Sequence, residues 1–181
     1  MKTIGIWMLA PIRPVRSIRL AGLAGLVGLM LSGCSQGIPA GSGIGGDFKR
    51  QYAVSRNALE SGNFDKAARG YGRLLQKAGP YEPRIRLEYS HALLRANHFQ
   101  AAAAQARALV AAQTGSSRSA ALAVQGTAEH ELGLITPGPD GRTLLESAQS
   151  ALAEALKAHP EMDRGGNLKA RKARLDKQLS G

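Results

Sequence analysis

Two stretches of this chain align without a gap, VSRNALESGNFDKAARGYGRLL from Val54 and YSHALLRANHFQAAAAQARALV from Tyr89, at an offset of 35 residues. Ser55 falls on Ser90, Phe64 on Phe99, Ala67 on Ala102 and Leu74 on Leu109. A fixed period of this size marks an array of supersecondary units, none of which buries its apolar face alone. Inside each unit two apolar-patterned segments flank a short turn, Ser61-Gly62-Asn63 or Ala96-Asn97-His98. Gly62 and Asn97 suit the left-handed backbone that ends a helix, so each unit reads as helix, turn, helix. The chain is 44% hydrophobic but only 4% aromatic, with Ala and Leu abundant from Asn57 onward. That favours helices packed closely through small residues over a β-sandwich.

A third copy follows with an interruption. Gly126 stands where Ser55 and Ser90 stand, and Gly133 follows seven residues later as Gly62 follows Ser55. Ala148, Ala155 and Pro160 carry the spacing of a second helix and its stop. Between them, Pro137, Pro139 and Asp140-Gly141 are helix breakers, which predicts a loop insertion over 134–143. The tail NLKARKARLDKQLSG places Leu168, Leu175 and Leu179 near one helical face, as a capping helix requires. The expected fold is all-α: an α-solenoid of about three helical hairpins plus a C-terminal capping helix, spanning 48–181.

In these residues the chain resembles the tetratricopeptide repeat (TPR). The family wants a small residue midway along its first helix, as at Ser55 and Ser90. It then wants Gly, an aromatic two residues on and Ala three further, as in Gly62, Phe64 and Ala67. Tyr71 and Leu74 take its second-helix positions. The second unit departs with Asn97 for Gly and Ala106 for the aromatic. The resemblance covers about Phe48 to Pro160.

The first 33 residues read as an export signal. Lys2, Arg13, Arg16 and Arg19 precede the apolar run Leu20 to Leu31, and no acid occurs before Asp47. A basic segment followed by ~7–15 apolar residues is the secretory pattern, and the run is short of the ~20 needed to span a bilayer comfortably. It ends in Leu31-Ser32-Gly33-Cys34, which resembles the bacterial lipobox. That resemblance implies cleavage before Cys34, the only cysteine, and lipid attachment to it as a palmitate-type anchor. Ser35, which is not Asp, implies an outer-membrane lipoprotein facing the periplasm. Residues 34–47 read as a Gly/Ser tether carrying the lipidated Cys. Gly41, Gly43 and Gly46 match a dinucleotide fingerprint but lack the preceding strand it needs.

Without residues 1–33 the chain keeps 20 Lys and Arg against 13 acids, so part of its basicity belongs to the signal. A nucleic-acid role is not expected, because an envelope protein rarely meets phosphate backbones. A lone Cys allows no internal disulfide. No H-E-x-x-H, G-x-S-x-G or P-loop occurs, so neither a metal nor an enzymatic role is expected, and no cofactor beyond the lipid on Cys34. Glu129-His130-Glu131 reads as a solvated helix face, since adjacent helical residues point in different directions. The TPR resemblance implies a concave groove lined by first helices, at Lys49, Tyr52, Arg56, Arg84, Leu87, His91 and Arg95, suited to an acidic or amphipathic segment of a protein partner. The family's carboxylate clamp wants Lys and Asn where this chain has Tyr52 and Arg56, which argues against that mode. The implied role is a scaffold or adaptor in assembly of an envelope machine, such as the pilotin-like components of Tad or type IV pilus systems. Cell-wall synthesis, outer-membrane protein insertion and an envelope enzyme stand as alternatives.

Overall fold

The computed structural model describes residues 45–181, which belong to one compact unit. Cys34, the signal 1–33 and the tether up to residue 44 lie outside the described residues. Seven α-helices follow one another: α1 Gly46–Glu60, α2 Phe64–Leu75, α3 Glu82–Arg95, α4 Phe99–Ala112, α5 Gly115–Ile135, α6 Gly138–Ala158 and α7 Asn167–Leu179. Single 3₁₀ turns at Gly79–Tyr81 and Pro160–Met162 join α2 to α3 and α6 to α7, and no strand occurs among the described residues. Each helix packs on the one before it; α3 also touches α5, and α5 touches α7. The all-helical expectation holds.

The first two turns are built alike. Gly62 has φ +80° and Asn97 +61°, and both connections have the next helix starting two residues later. Ala67 and Ala102 are fully buried, and Ser55 and Ser90 nearly so. Small side chains at these positions let the helix axes come close. A Cβ on Gly70 would lie 3.0 Å from the Cβ of Ser55. One cluster runs from Ala58 through Tyr71, Leu74 and Ile85 to Ala102 and Ala128. A second joins Leu122, Ala151 and Ala155, and a third joins Ala148 and Leu152 to Leu175 of α7. Leu175 is completely buried while Leu168 and Leu179 are half-buried, so α7 packs its apolar face on α6.

The expected loop over 134–143 is not there. Helix α5 continues through Gly133 to Ile135, only Thr136-Pro137 intervene, and α6 begins at Gly138. Proline breaks helices in their interior but is accommodated in the first turn, where its missing N–H has no partner to lose. Pro139 occupies such a position. Gly133 serves packing here, since a Cβ on it would come within 2.9 Å of Leu145. The tether expected through residue 47 also ends earlier, with α1 starting at Gly46.

Glu129 and His130 are buried, against the expectation of a solvated face. Adjacent residues do point apart, but α5 has neighbours on several sides and both directions lead into protein. The Glu129 carboxylate accepts from Arg107 Nε (2.7 Å), Gln125 Nε2 (3.0 Å) and Ser147 Oγ (2.7 Å). Burial of a charge is tolerated when it is paired and hydrogen-bonded. On the other side, His130 meets Arg171 and Gln178 of α7, and Arg171 Nη1 also bonds Glu131 at 2.6 Å.

Candidate functional site

The middle and end of α1 meet the first half of α3 through polar side chains. Arg84 Nη2 donates to the Tyr52 hydroxyl at 3.3 Å, with its guanidinium 6.0 Å from the Tyr52 ring centroid. The Tyr52 hydroxyl donates to Glu88 Oε1 over 3.4 Å. Arg56 Nη1 donates to the same oxygen at 3.1 Å, while its Nε donates to Glu60 at 2.6 Å. The Glu60 hydrogen bond, then the charge of Glu88, hold Arg56 above the ordinary arginine pKa. The hydrogen bond with Tyr52 does the same for Arg84. Both stay cationic at any ordinary pH.

Behind this layer lies Tyr71 of α2, fully buried and edge-on to Tyr52 at 6.0 Å between centroids. Its hydroxyl has no partner among the described residues, and desolvation raises its pKa.

Two clefts open on the α1/α3 surface and share Tyr81 and Arg84. One, of about 270 Å³, is walled by Phe48, Lys49, Tyr52, Tyr81, Arg84 and Ile85. The other, of about 480 Å³, continues past Leu87 and Glu88 to Leu109 of α4 and Gln113 just beyond that helix. The rings of Phe48 and Tyr81 lie 6.5 Å apart. Rings and Ile85 suit an apolar side chain, while Lys49 and Arg84, which pair with no carboxylate among the described residues, suit an adjacent anion.

Of the residues expected to line a groove, the structure brings Lys49, Tyr52, Arg84 and Leu87 to these clefts. Arg56 sits beside them but is engaged by Glu60 and Glu88. Of the arginines expected along the groove, Arg56 is therefore paired with carboxylates and Arg95 lies apart from the clefts. The Arg95 guanidinium stacks 4.4 Å from the Phe64 ring centroid, beside the first turn. His91 is exposed between the two ends; neighbouring protein, then the Arg95 charge, lower its pKa from the usual 6.5.

Sequence reasoning missed Glu88, Phe48, Tyr81 and Ile85. Glu88 stands four residues after Arg84 and so on the same face of α3, a signal that spacing could have supplied. Phe48 and Tyr81 sit at element ends, where periodicity carries no register.

Among the described residues no group of three His, Asp or Glu is gathered as metal ligands. No described helix is long and apolar enough to cross a membrane. No protein-family model, no curated protein and no solved structure matches this chain.

Proposed function

We propose that this protein is a membrane-anchored adaptor. Lipid on Cys34 holds a TPR-like stack of hairpins at the outer membrane, facing the periplasm. Its α1/α3 surface grips a segment of a protein partner during assembly of an envelope machine, such as a pilus or secretion system. The matched turns at Gly62 and Asn97 and the buried Ala67 and Ala102 support the TPR-like part of this reading. The observation that carries the binding part is the pair of clefts sharing Tyr81 and Arg84, with two cations that have no carboxylate partner among the described residues beside aromatic walls. The segment that fits is amphipathic, with an apolar side chain for the Phe48–Tyr81 cleft and an acidic one beside Lys49 and Arg84.

A photocrosslinker at position 48, used in cells, tests this. The double reversal Lys49→Glu, Arg84→Glu reduces the crosslinked partner about tenfold or more, the scale of losing two close charge pairs. The double reversal Lys169→Glu, Lys177→Glu changes net charge equally and leaves the crosslink intact. Loss of the crosslink in the tail variant alone overturns the assignment. Arg56 is unsuited to this test, because its reversal would set a new carboxylate against half-buried Glu88.

A further inference from the structure

Helix α2 differs from the other six in its charges. Every other helix carries at least one arginine matched to a carboxylate, whereas Lys66, Arg69, Arg73 and the following Lys77 enter no ion pair among the described residues. Nor can a residue outside that range neutralise them, since no Asp or Glu precedes Asp47. Asp65, the one acid on α2, is bound to His98 Nε2 at 2.9 Å. Lys66, Arg69 and Arg73 fall within an arc of ~60° on the helix, and Lys77 extends the row to a length of ~16 Å.

Helix α2 itself gives this face no large exposed apolar side chain. Its exposed positions are Asp65, Lys66, Arg69, Arg73, Gln76 and Lys77, and none of the large exposed hydrophobic residues lies on α2. Protein interfaces are organised around a broad apolar or aromatic centre, and here only Tyr89 and Leu93 of α3 and the small Ala68 approach the row. What the face has is a hollow of about 490 Å³ in which Arg69, Arg73, Gln76 and His98 surround Tyr89, with Ala68 and Leu93 also lining it and Asp65, whose carboxylate is held by His98, beside them. The Tyr89 ring lies close against α2, 3.5 Å from where a Cβ on Gly72 would be. Two guanidinium groups, an amide and a phenol around one hollow are donors for a phosphodiester, and the row beside it adds charge without demanding a fixed partner shape.

We infer that the α2 face is a second membrane contact, which docks on anionic phospholipid headgroups. The chain enters the described domain near the Lys77 end of this row: Phe48 of the first turn of α1 meets Tyr81, four residues beyond Lys77. Single acyl anchors become stable when joined by a basic patch, and each Lys or Arg near an anionic surface strengthens attachment. The inference rests on the anchoring reading only for which membrane is met. The contact itself is a property of α2.

The processed protein is mixed with phosphatidylcholine vesicles, with or without phosphatidylglycerol, and its lysines are labelled with an amine-reactive reagent. Lys66 and Lys77 become several-fold less reactive than Lys157 with the anionic vesicles only, and high salt removes the protection. The variant Arg69→Gln, Arg73→Gln loses most of the protection of Lys66 and Lys77 on anionic vesicles, whereas Arg164→Gln, Arg174→Gln, with the same change of net charge, keeps it. Equal labelling on both vesicle types, or equal losses in both variants, overturns the inference. So does protection of the row by soluble glycerol phosphate or polyphosphate without protection by vesicles, which marks a site for free anions. A protein that sediments with anionic vesicles through α2 but carries no lipid supports the inference and sinks the anchor at Cys34.

Discussion

Ser55 and Gly70 settle how near α1 and α2 can come. Ser55 turns its hydroxyl back onto the Gln51 carbonyl at 2.8 Å, which satisfies it inside the interface. The volume a side chain at 70 would need is then already filled by Ser55. Gly70→Ala is expected to destabilise the protein by ~1–3 kcal/mol, the usual cost of overpacking, despite the better helix propensity of Ala. Thermal melts followed by circular dichroism check this; adding Ser55→Gly should recover most of the loss. An unchanged midpoint for Gly70→Ala would mean that the contact yields freely. At this scale Ser55, Ala67, Ala102, Gly62 and Asn97 were legible, because smallness and left-handed backbone are properties of single residues repeated at one offset. Glu88 and Glu129 were not. The partners that decide their state stand far off along the chain: Tyr52 and Arg56 for the first, Arg107 and Ser147 for the second.

Helix α7 is attached to α5 by a histidine whose protonation state is written in its contacts. His130 Nδ1 lies 2.8 Å from Arg171 Nη1, which can only donate, so Nδ1 accepts and Nε2–H donates to Gln178 at 3.2 Å. A proton on Nδ1 would face a guanidinium in a site that is 3% exposed. Desolvation is the main cause that lowers the His130 pKa, Arg171 and Arg174 add to it, and Gln178 and Glu131 oppose it. Unfolded chain then takes up its proton near 6.5 and folded chain only at lower pH. Between those values the unfolded state holds more protons, so stability falls as pH drops through that window. The protection of α7 amides, with exchange rates corrected for their intrinsic pH dependence, should therefore fall below pH 6.5 more than in α1 and α2, and His130→Asn should flatten that response. Undiminished α7 protection in acid would refute the account. The element itself was legible from Leu168, Leu175 and Leu179. The start of α6 was misread because Pro and Gly were taken as breakers, whereas a two-residue connection puts them at a helix start that tolerates both.

For the molecule as a whole, the described domain and the segment before it answer different questions. In the proposed reading, processing and attachment depend on Leu31-Ser32-Gly33-Cys34, which no packing argument reaches. Cys34→Ser is expected to accumulate as unprocessed precursor without palmitate label, and with the melting behaviour of residues 46–181 unchanged. Mature, membrane-bound protein in that variant would refute the anchor.

The buried Glu129 carries a kinetic consequence. Its donors come from α4, from α5 itself and from α6, so no two of these helices can enclose it with all its bonds made. A half-assembled species with α5 docked on only one neighbour must leave the carboxylate wet or unpaired, and unpaired burial is costly. Docking of α4, α5 and α6 is therefore expected to be coupled, with the α4–α5 junction opening less readily than a contact between apolar faces alone would.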